Sequence, residues 1–386
     1  MVAATAAALL AGSLSVTTAQ DAPDLLPGVD LVTEEVKPGV YRVLGDGTHD
    51  LRQNVWAVEA TDDGDVWVLK YRVAYKEMAT PGRIKPRFRD ARVLRLGESG
   101  VSLRAGQDNM TNYPGLGLRD GLPAAYFSNQ GQRVWDGDRW LPPSAPWEGG
   151  IYCEGIVVPE VGCWTHNYGD PGIVRQSFDG SRRTISSAEI GLDADARFNG
   201  PWAPHADDGF YTLAYTGTRE DMAPSHLVAF DGDDWSTAEL PATGMAYPYM
   251  MDVLSDGSVW IGGRADGNGQ MGSHVVARWD GNEWRTFEFA ELQSDRPGLH
   301  EAADGKVWID AVTYIDGSTV RQLGFVSDLG AGDRLGSYAF GPDDSAWTVV
   351  VEPGTPEELG CEAQPQRCLG VGTLYVITPE AVAAAE

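Results

Sequence analysis

A hydrophobic run, a tight Asp-Gly turn and a Trp among β-branched residues return together seven times along this chain of 386 residues. The clearest copies are Asp63-Gly64-Asp65-Val66-Trp67, Asp256-Gly257-Ser258-Val259-Trp260 and Asp304-Gly305-Lys306-Val307-Trp308. A second phrase alternates with the first: Trp135-Asp136-Gly137-Asp138-Arg139-Trp140, Phe230-Asp231-Gly232-Asp233-Asp234-Trp235 and Trp279-Asp280-Gly281-Asn282-Glu283-Trp284. A recurring period marks a repeat architecture, because a single repeat cannot bury its apolar face alone. The repeating residues are structural, so function has to be sought among those that do not repeat.

Asp-Gly between β-rich runs is a hairpin signal, read here as a type I′ turn with positive φ at both central residues. Each unit holds two such hairpins, giving strands a to d. The fifth unit shows them whole, at 249–254, 259–262, 274–279 and 284–289. Strand b carries Trp67, Tyr126, Trp164, Tyr211, Trp260, Trp308 and Trp347, spaced 38 to 59 residues apart. That brackets the ~40–50 residues of a propeller blade repeat. The expected fold is all-β: a seven-bladed β-propeller of four-stranded antiparallel blades over residues 38–380, followed by a tail at 381–386. Six or eight blades stay open, because the second unit is faint. Arg183 stands where the third unit should carry Trp, and Asp344 where the last should carry Gly. The last unit has strands at 337–341, 346–351 and 373–378 and no strand d. The orphan strand at 40–44 is expected to supply it and close the ring, protecting edges that would otherwise pair with other chains. The repeated Trp residues are expected to fill the space between sheets.

Net charge is −27. Such a surface repels nucleic acid, so no nucleic-acid partner is expected. Residues 1–19 are almost all small or apolar, so 1–20 read as a signal peptide, with 21–37 as a linker. No other stretch is apolar enough to span a membrane. The chain is expected outside the cell or in the periplasm, as a monomer. Its four cysteines fit an oxidising compartment. The local pairings Cys153–Cys163 and Cys361–Cys368 are favoured among three connectivities; four buried thiols are the alternative.

In a blade, the a–b and c–d turns point to one face, and the b–c and d–a links to the other. The long links, including b–c links at 71–90, 216–225, 264–273 and 352–372, should therefore share one face, where binding groups gather. Ligand-binding candidates at the axial pocket of that face are Trp56, Tyr113, Trp202, His205, Tyr249, His300 and Tyr338. The 71–90 link and its flanks are densely basic: Lys70, Arg72, Lys76, Arg83, Lys85, Arg87, Arg89, Arg92 and Arg95, against Glu77 and Asp90. They read either as a patch for an anionic ligand or acidic partner, or as a solvated loop that neutralises acidic neighbours.

Catalytic signals are sparse. His205 and His300 precede Asp-Gly turns on innermost strands, and Glu301 follows His300. A His and a carboxylate facing a channel could perform general acid–base work; a hydrogen-bonded structural His is the plainer reading. No G-x-S-x-G elbow, P-loop, dinucleotide fingerprint or H-E-x-x-H motif occurs. No cofactor and no metal site is expected. The Asp content leaves calcium open, although no D-x-[DN]-x-[DN]-G loop is complete.

The stretches Asp256-Gly257-Ser258-Val259-Trp260-Ile261-Gly262 and Trp279–Trp284 resemble the repeats of two-component-regulator propellers, within the wider WD40/YVTN-like class. The resemblance covers most of 40–378 and implies a sensing or secreted recognition domain. The chain has no kinase, receiver or membrane helix, so signalling is not implied. The D-G-x-x-W repeats are also similar to those of streptogramin (virginiamycin B) lyases. That family's His–Glu motif and magnesium site find only a loose echo in His300-Glu301.

Three functions follow as expectations. The first is a secreted propeller that binds a small ligand, glycan or protein through its irregular face. The second is a lyase or hydrolase using His205 or His300 in the axial pocket. The third is a cell-surface interaction platform.

Overall fold

The computed structural model describes residues 25–26, 29–77, 84–97, 100–107, 110, 114–119, 122–127, 131–141, 156–158, 162–166, 171–177, 179–205, 209–217, 223–241, 245–265, 274–289, 298–324, 333–359, 361–362 and 369–383. The chain forms two compact units, residues 1–129 with 330–386, and residues 130–329. Among the described residues, a core cluster running from Leu25 to Val376 lies in the first unit, and the clusters of the second include those around Leu213, Phe210 and Ile309.

The first unit begins with β1 (Val32–Lys37), β2 (Val40–Gly45), β3 (Val55–Ala60), β4 (Val66–Glu77), β5 (Ile84–Gly97) and β6 (Gly100–Gln107), then the hairpin β7 (Gly115–Arg119) and β8 (Leu122–Phe127). The second unit starts with the hairpin β9 (Gly131–Trp135) and β10 (Trp140–Leu141), followed by β11 (Ile156–Val158), β12 (Gly162–Thr165), β13 (Gly172–Gln176) and β14 (Arg182–Ser186). It continues through β15 (Arg197–Phe198), β16 (Ala203–His205), β17 (Gly209–Thr216), β18 (Ala223–Phe230) and β19 (Trp235–Glu239). Next come β20 (Tyr247–Val253), β21 (Val259–Arg264), β22 (His274–Trp279) and β23 (Trp284–Phe289), then β24 (His300–Glu301), β25 (Val307–Trp308), β26 (Thr313–Asp316) and β27 (Thr319–Gln322). The chain returns to the first unit with β28 (Arg334–Phe340), β29 (Ala346–Glu352), α1 (Pro356–Leu359), β30 (Val371–Ile377) and α2 (Pro379–Ala383).

Consecutive strands pair antiparallel into sheets of the β-propeller blade type, such as β3-β4-β5-β6, β11-β12-β13-β14, β20-β21-β22-β23 and β24-β25-β26-β27. The fold is all-β, as expected. The strand-b Trp residues at 67, 164, 260, 308 and 347 are all buried, so they are core rather than an aromatic cradle. The orphan N-terminal strand also behaves as expected. β2 lies against β30, with Val40 opposite Ile377, Tyr41 opposite Val376 and Arg42 opposite Tyr375.

Four local expectations need correction. First, 32–37, inside the expected linker, is strand β1; it adds a fifth strand outside β2. Second, the Asp-Gly turns are not type I′. In the a–b turns only the Gly takes positive φ, as at Gly64, Gly257 and Gly305. Gly257 N–H donates to Leu254 O, and Leu254 N–H to Ser258 O, which makes a type I turn closed by a left-handed residue. Asp344 fills that left-handed position itself, at φ 61°, which accounts for the missing Gly. In the turn at Asp280-Gly281 and its equivalents the first central residue is a Gly with positive φ, the II′ arrangement. There Asp280 Oδ1 accepts from the N–H groups of Asn282 and Glu283, so the repeated Asp closes the turn that Gly opens. Third, strand a of the fourth unit is broken into β15 and β16 by Asn199-Gly200, with Gly200 at φ 98°. Fourth, the link at 71–90 is largely strand: β4 and β5 run on past the sheet as a long hairpin.

Candidate functional site

In that hairpin, Arg72 faces Arg89, Val73 faces Phe88, Ala74 faces Arg87, Tyr75 faces Pro86 and Lys76 faces Lys85. Directly opposed residues share a face, and successive residues alternate. One face therefore carries Arg72, Lys76, Lys85, Arg87 and Arg89 around Ala74, and the other Val73, Tyr75, Pro86 and Phe88. Burial follows this division: Phe88 is buried, while Arg72, Lys76, Lys85 and Arg89 are exposed. Like charges directly opposed destabilise a strand pair. Two such pairs, Arg72–Arg89 and Lys76–Lys85, stand here two rungs apart. Arg72 also meets Asp90, with Nε donating to Oδ2 at 2.8 Å; Asp90 sits in a bulge at φ 53°.

The apolar face holds the hairpin in place. Phe88 and Met110 exchange both backbone hydrogen bonds, at 3.1 and 2.7 Å. Phe88 packs edge-on to Tyr71 (5.3 Å), and Tyr71 stacks on Trp56 (5.1 Å, 8°). Trp56 Nε1–H donates to Tyr71 O at 2.8 Å. Trp56 is thus a brace between β3 and the hairpin. The Tyr75 hydroxyl accepts from Leu369 N–H at 2.9 Å, fastening the hairpin to the segment before β30.

At the foot of the hairpin the same unit has an open cleft of about 800 Å³. Its walls include Arg42 from β2, Asp50, Arg52 and Gln53 from the d–a link, Glu352 at the end of β29, Leu359 of α1 and Thr373 of β30. Arg42 Nε is buried with no hydrogen-bond partner among the described residues. Burial pushes the Tyr375 phenol up, the positive Arg42 pulls it down, and Glu352, Asp333 and Glu34 push it up. Arg52 is held by Asp50, with Nε to Oδ1 at 2.9 Å and Nη2 to Oδ2 at 3.3 Å; this bond holds the Asp50 carboxyl below its usual range. Lys70 donates to Asp50 O, and burial lowers its ammonium. Gly372 in β30 is needed for the packing here, since a Cβ would collide with the Val55 carbonyl oxygen.

The catalytic candidates fall elsewhere. Glu301 is held by Ser255, whose N–H and Oγ donate to Oε2 and Oε1 at 2.7 and 2.8 Å. Its carboxylate thereby caps the a–b turn that leads into β21. His205 packs edge-on to Tyr211 at 4.6 Å, and the N–H groups of Asp234 and Asp233 hold the nearby Asp231 carboxyl of the β18–β19 turn below its usual range. His300 lies on β24 opposite Trp308. Trp202 stacks on His166 (5.3 Å, 13°) and packs into the second unit's core. Tyr249 has an exposed edge against His274; desolvation raises its phenol, with Asp310 raising it further and Arg264 opposing. Tyr338 packs on Phe340 in β28. Tyr113, Arg83, Cys153 and Cys368 lie outside the described residues. Cys163 and Cys361 are in disulfide form, and no described cysteine is free.

Sequence reasoning missed Arg42, Arg52, Glu352 and Glu59. Glu59, on β3, has its carboxyl pushed up to about 7 by burial. The signal for Glu59 was a lone carboxylate within the apolar run Val55-Trp56-Ala57-Val58-Glu59-Ala60. Among the described residues, no group of three or more His, Cys, Asp or Glu side chains is placed to hold a metal ion, and no helix is long and apolar enough to cross a membrane.

No family model and no curated protein sequence matches the chain. Solved structures similar to it include a protein of unknown function from Dyadobacter fermentans, at 14% identity, covering 88% of this chain and 100% of that one, with a TM-score of 0.38. YCF48 bound to D1 peptide is similar at 12% identity over 92% of this chain and 99% of that one, TM-score 0.39. Trypanosoma rangeli sialidase is similar at 10% identity over 89% of this chain and 57% of that one, TM-score 0.34. At these identities and scores the functions of those proteins do not transfer to this chain.

Proposed function

We propose that this chain is a secreted recognition protein, a seven-bladed propeller of the two-component-regulator repeat type, that binds a small polar ligand in the cleft beneath the β4–β5 hairpin. The observation behind the function is the cleft itself. A volume of about 800 Å³ suits a small molecule. Arg42 offers a buried N–H without an acceptor, and Glu352 offers a carboxylate within the same walls. A ligand with an anionic group for Arg42 and a donor for Glu352 would satisfy both. Two long links, the d–a link before β3 and the b–c link after β29, complete the walls. Secretion draws on the apolar residues 1–20 and on disulfide pairing of Cys153 with Cys163 and of Cys361 with Cys368. A monomer is the expected state.

Native mass spectrometry of the protein recovered from its source tests this. A retained small molecule should be present in the wild type and absent from Arg42→Met and from Gln53→Trp, which fills the cleft from an exposed position. A ligand-free wild type, or a ligand retained unchanged by both variants, would refute it. The other two readings, a lyase or hydrolase at His205 or His300 and a cell-surface platform, have no comparable observation behind them.

A further inference from the structure

The basic face of the β4–β5 hairpin is a second feature, independent of the cleft reading. The geometry points to a docking strip for a linear acidic polysaccharide, one bearing carboxylate or sulfate groups along its length. Five cations, Arg72, Lys76, Lys85, Arg87 and Arg89, stand on three successive same-face rungs. Such rungs are about 6.6–6.8 Å apart, so the strip is roughly 13 Å long. Its two rows of side chains are separated by about 5 Å. That matches a few units of a charged chain lying along the ribbon.

The composition of the face selects among polyanions. Its only uncharged member is Ala74, and it has no aromatic or large apolar side chain. Stable protein interfaces are anchored on buried aromatic and aliphatic groups, with Lys depleted at their centres. Single-stranded nucleic acid is held by stacking on aromatic side chains, and the apolar members here are turned to the opposite face. A hydrated polysaccharide needs neither. Three of the five cations are Arg, whose fork meets carboxylate or sulfate in a bidentate way. The only anion engaged with them among the described residues is Asp90, on Arg72, and an exposed pair of that kind is readily exchanged. The chain is acidic elsewhere, at −27 overall, so keeping like charges opposed at Arg72–Arg89 and Lys76–Lys85 runs against both local stability and global composition. An anionic occupant between the rows removes that conflict.

The test uses the full chain, with polygalacturonate and heparin as probes, over a range of salt concentrations. Wild type should bind at least one probe, more weakly as salt rises. Lys85→Gln combined with Arg87→Gln should weaken binding roughly tenfold or more and flatten the plot of log affinity against log salt, because fewer counterions are released on binding. Lys76→Glu, which places an anion opposite Lys85, should slow amide exchange in the hairpin while weakening binding, a combination that simple unfolding cannot produce. Arg42→Met, in the cleft, should leave polysaccharide binding intact, so failure of the cleft reading and failure of this one are separable. Binding unchanged in the Lys85/Arg87 variant, or binding confined to polyglutamate, single-stranded DNA or anionic phospholipid vesicles, overturns the proposal.

Discussion

Glu59 shows how a single carboxyl couples this fold to pH. It lies on β3 with its carboxyl pushed up to about 7 by burial, against 4.5 for an unhindered Glu. Below about pH 4.5 the group is protonated whether the chain is folded or not, and its ionisation does not affect stability. Between 4.5 and 7 the unfolded chain releases the proton and the folded chain keeps it, so stability falls as pH rises. Above 7 the full cost is present, at most about 3 kcal/mol. Glu59→Gln removes the ionisable group and keeps the shape. Its melting temperature should exceed wild type at pH 8, and the gain should vanish at pH 4.5. An equal gain at both pH values would mean that the effect is packing rather than ionisation. The same residue shows why sites are harder to read than folds. The six-residue run around Glu59 identifies a strand through its apolar members, but burial of its carboxyl depends on strands distant in sequence, such as β28, whose Ser337 Oγ bonds Val58 next to it.

The β4–β5 hairpin makes a related point at the level of elements. Its period of two is visible in the sequence, in Arg72-Val73-Ala74-Tyr75-Lys76 and Lys85-Pro86-Arg87-Phe88-Arg89 flanking Pro81-Gly82. The blade pattern places 71–90 as a link between strands b and c, and a Pro within the second run also counts against a strand there, since Pro is disfavoured inside a ladder. The structure tolerates Pro86 opposite Tyr75 because this stretch of β5 lies beyond β6, whose pairing begins at Ala91 with Gln107. The positions of the Asp-Gly turns, by contrast, were legible, because their chemistry is confined to four or five consecutive residues, although their type was not I′. What anchors the hairpin is equally non-local: Phe88 joins Tyr71, Trp56 and Met110. Phe88→Ala should cost about 3 kcal/mol locally, in line with other buried Phe truncations. Hydrogen exchange should show protection lost at Val73 and Tyr75 while Val66 to Leu69, paired on both sides by β3 and β5, keep theirs. Uniform loss along β4 would mean that the hairpin and its sheet open as one.

For the chain as a whole, the N-terminal and C-terminal strands pair in one sheet. The order β1-β2-β30-β29-β28 places N-terminal strands at the outer edge of strands from the C-terminus. Contacts this distant in sequence carry a loop-closure cost and, once formed, tie these segments together. The N-terminal segment also contributes Leu25, Leu26, Val29, Leu31, Tyr41 and Val43 to the first unit's core. Removing residues 1–45 would delete those side chains and leave β30 with unpaired N–H and C=O groups along one edge. A bare edge of this length, carrying Leu374, Val376 and Ile377, is a template for pairing with another chain. The truncated protein should lose cooperative melting and form oligomers, seen by light scattering. Removing only residues 1–24 should leave both properties unchanged, because β1, β2 and the Leu25–Val43 contribution to the core remain. A monomeric 46–386 chain melting like the 1–386 chain would show that the pairing of β2 with β30 does not hold this unit together.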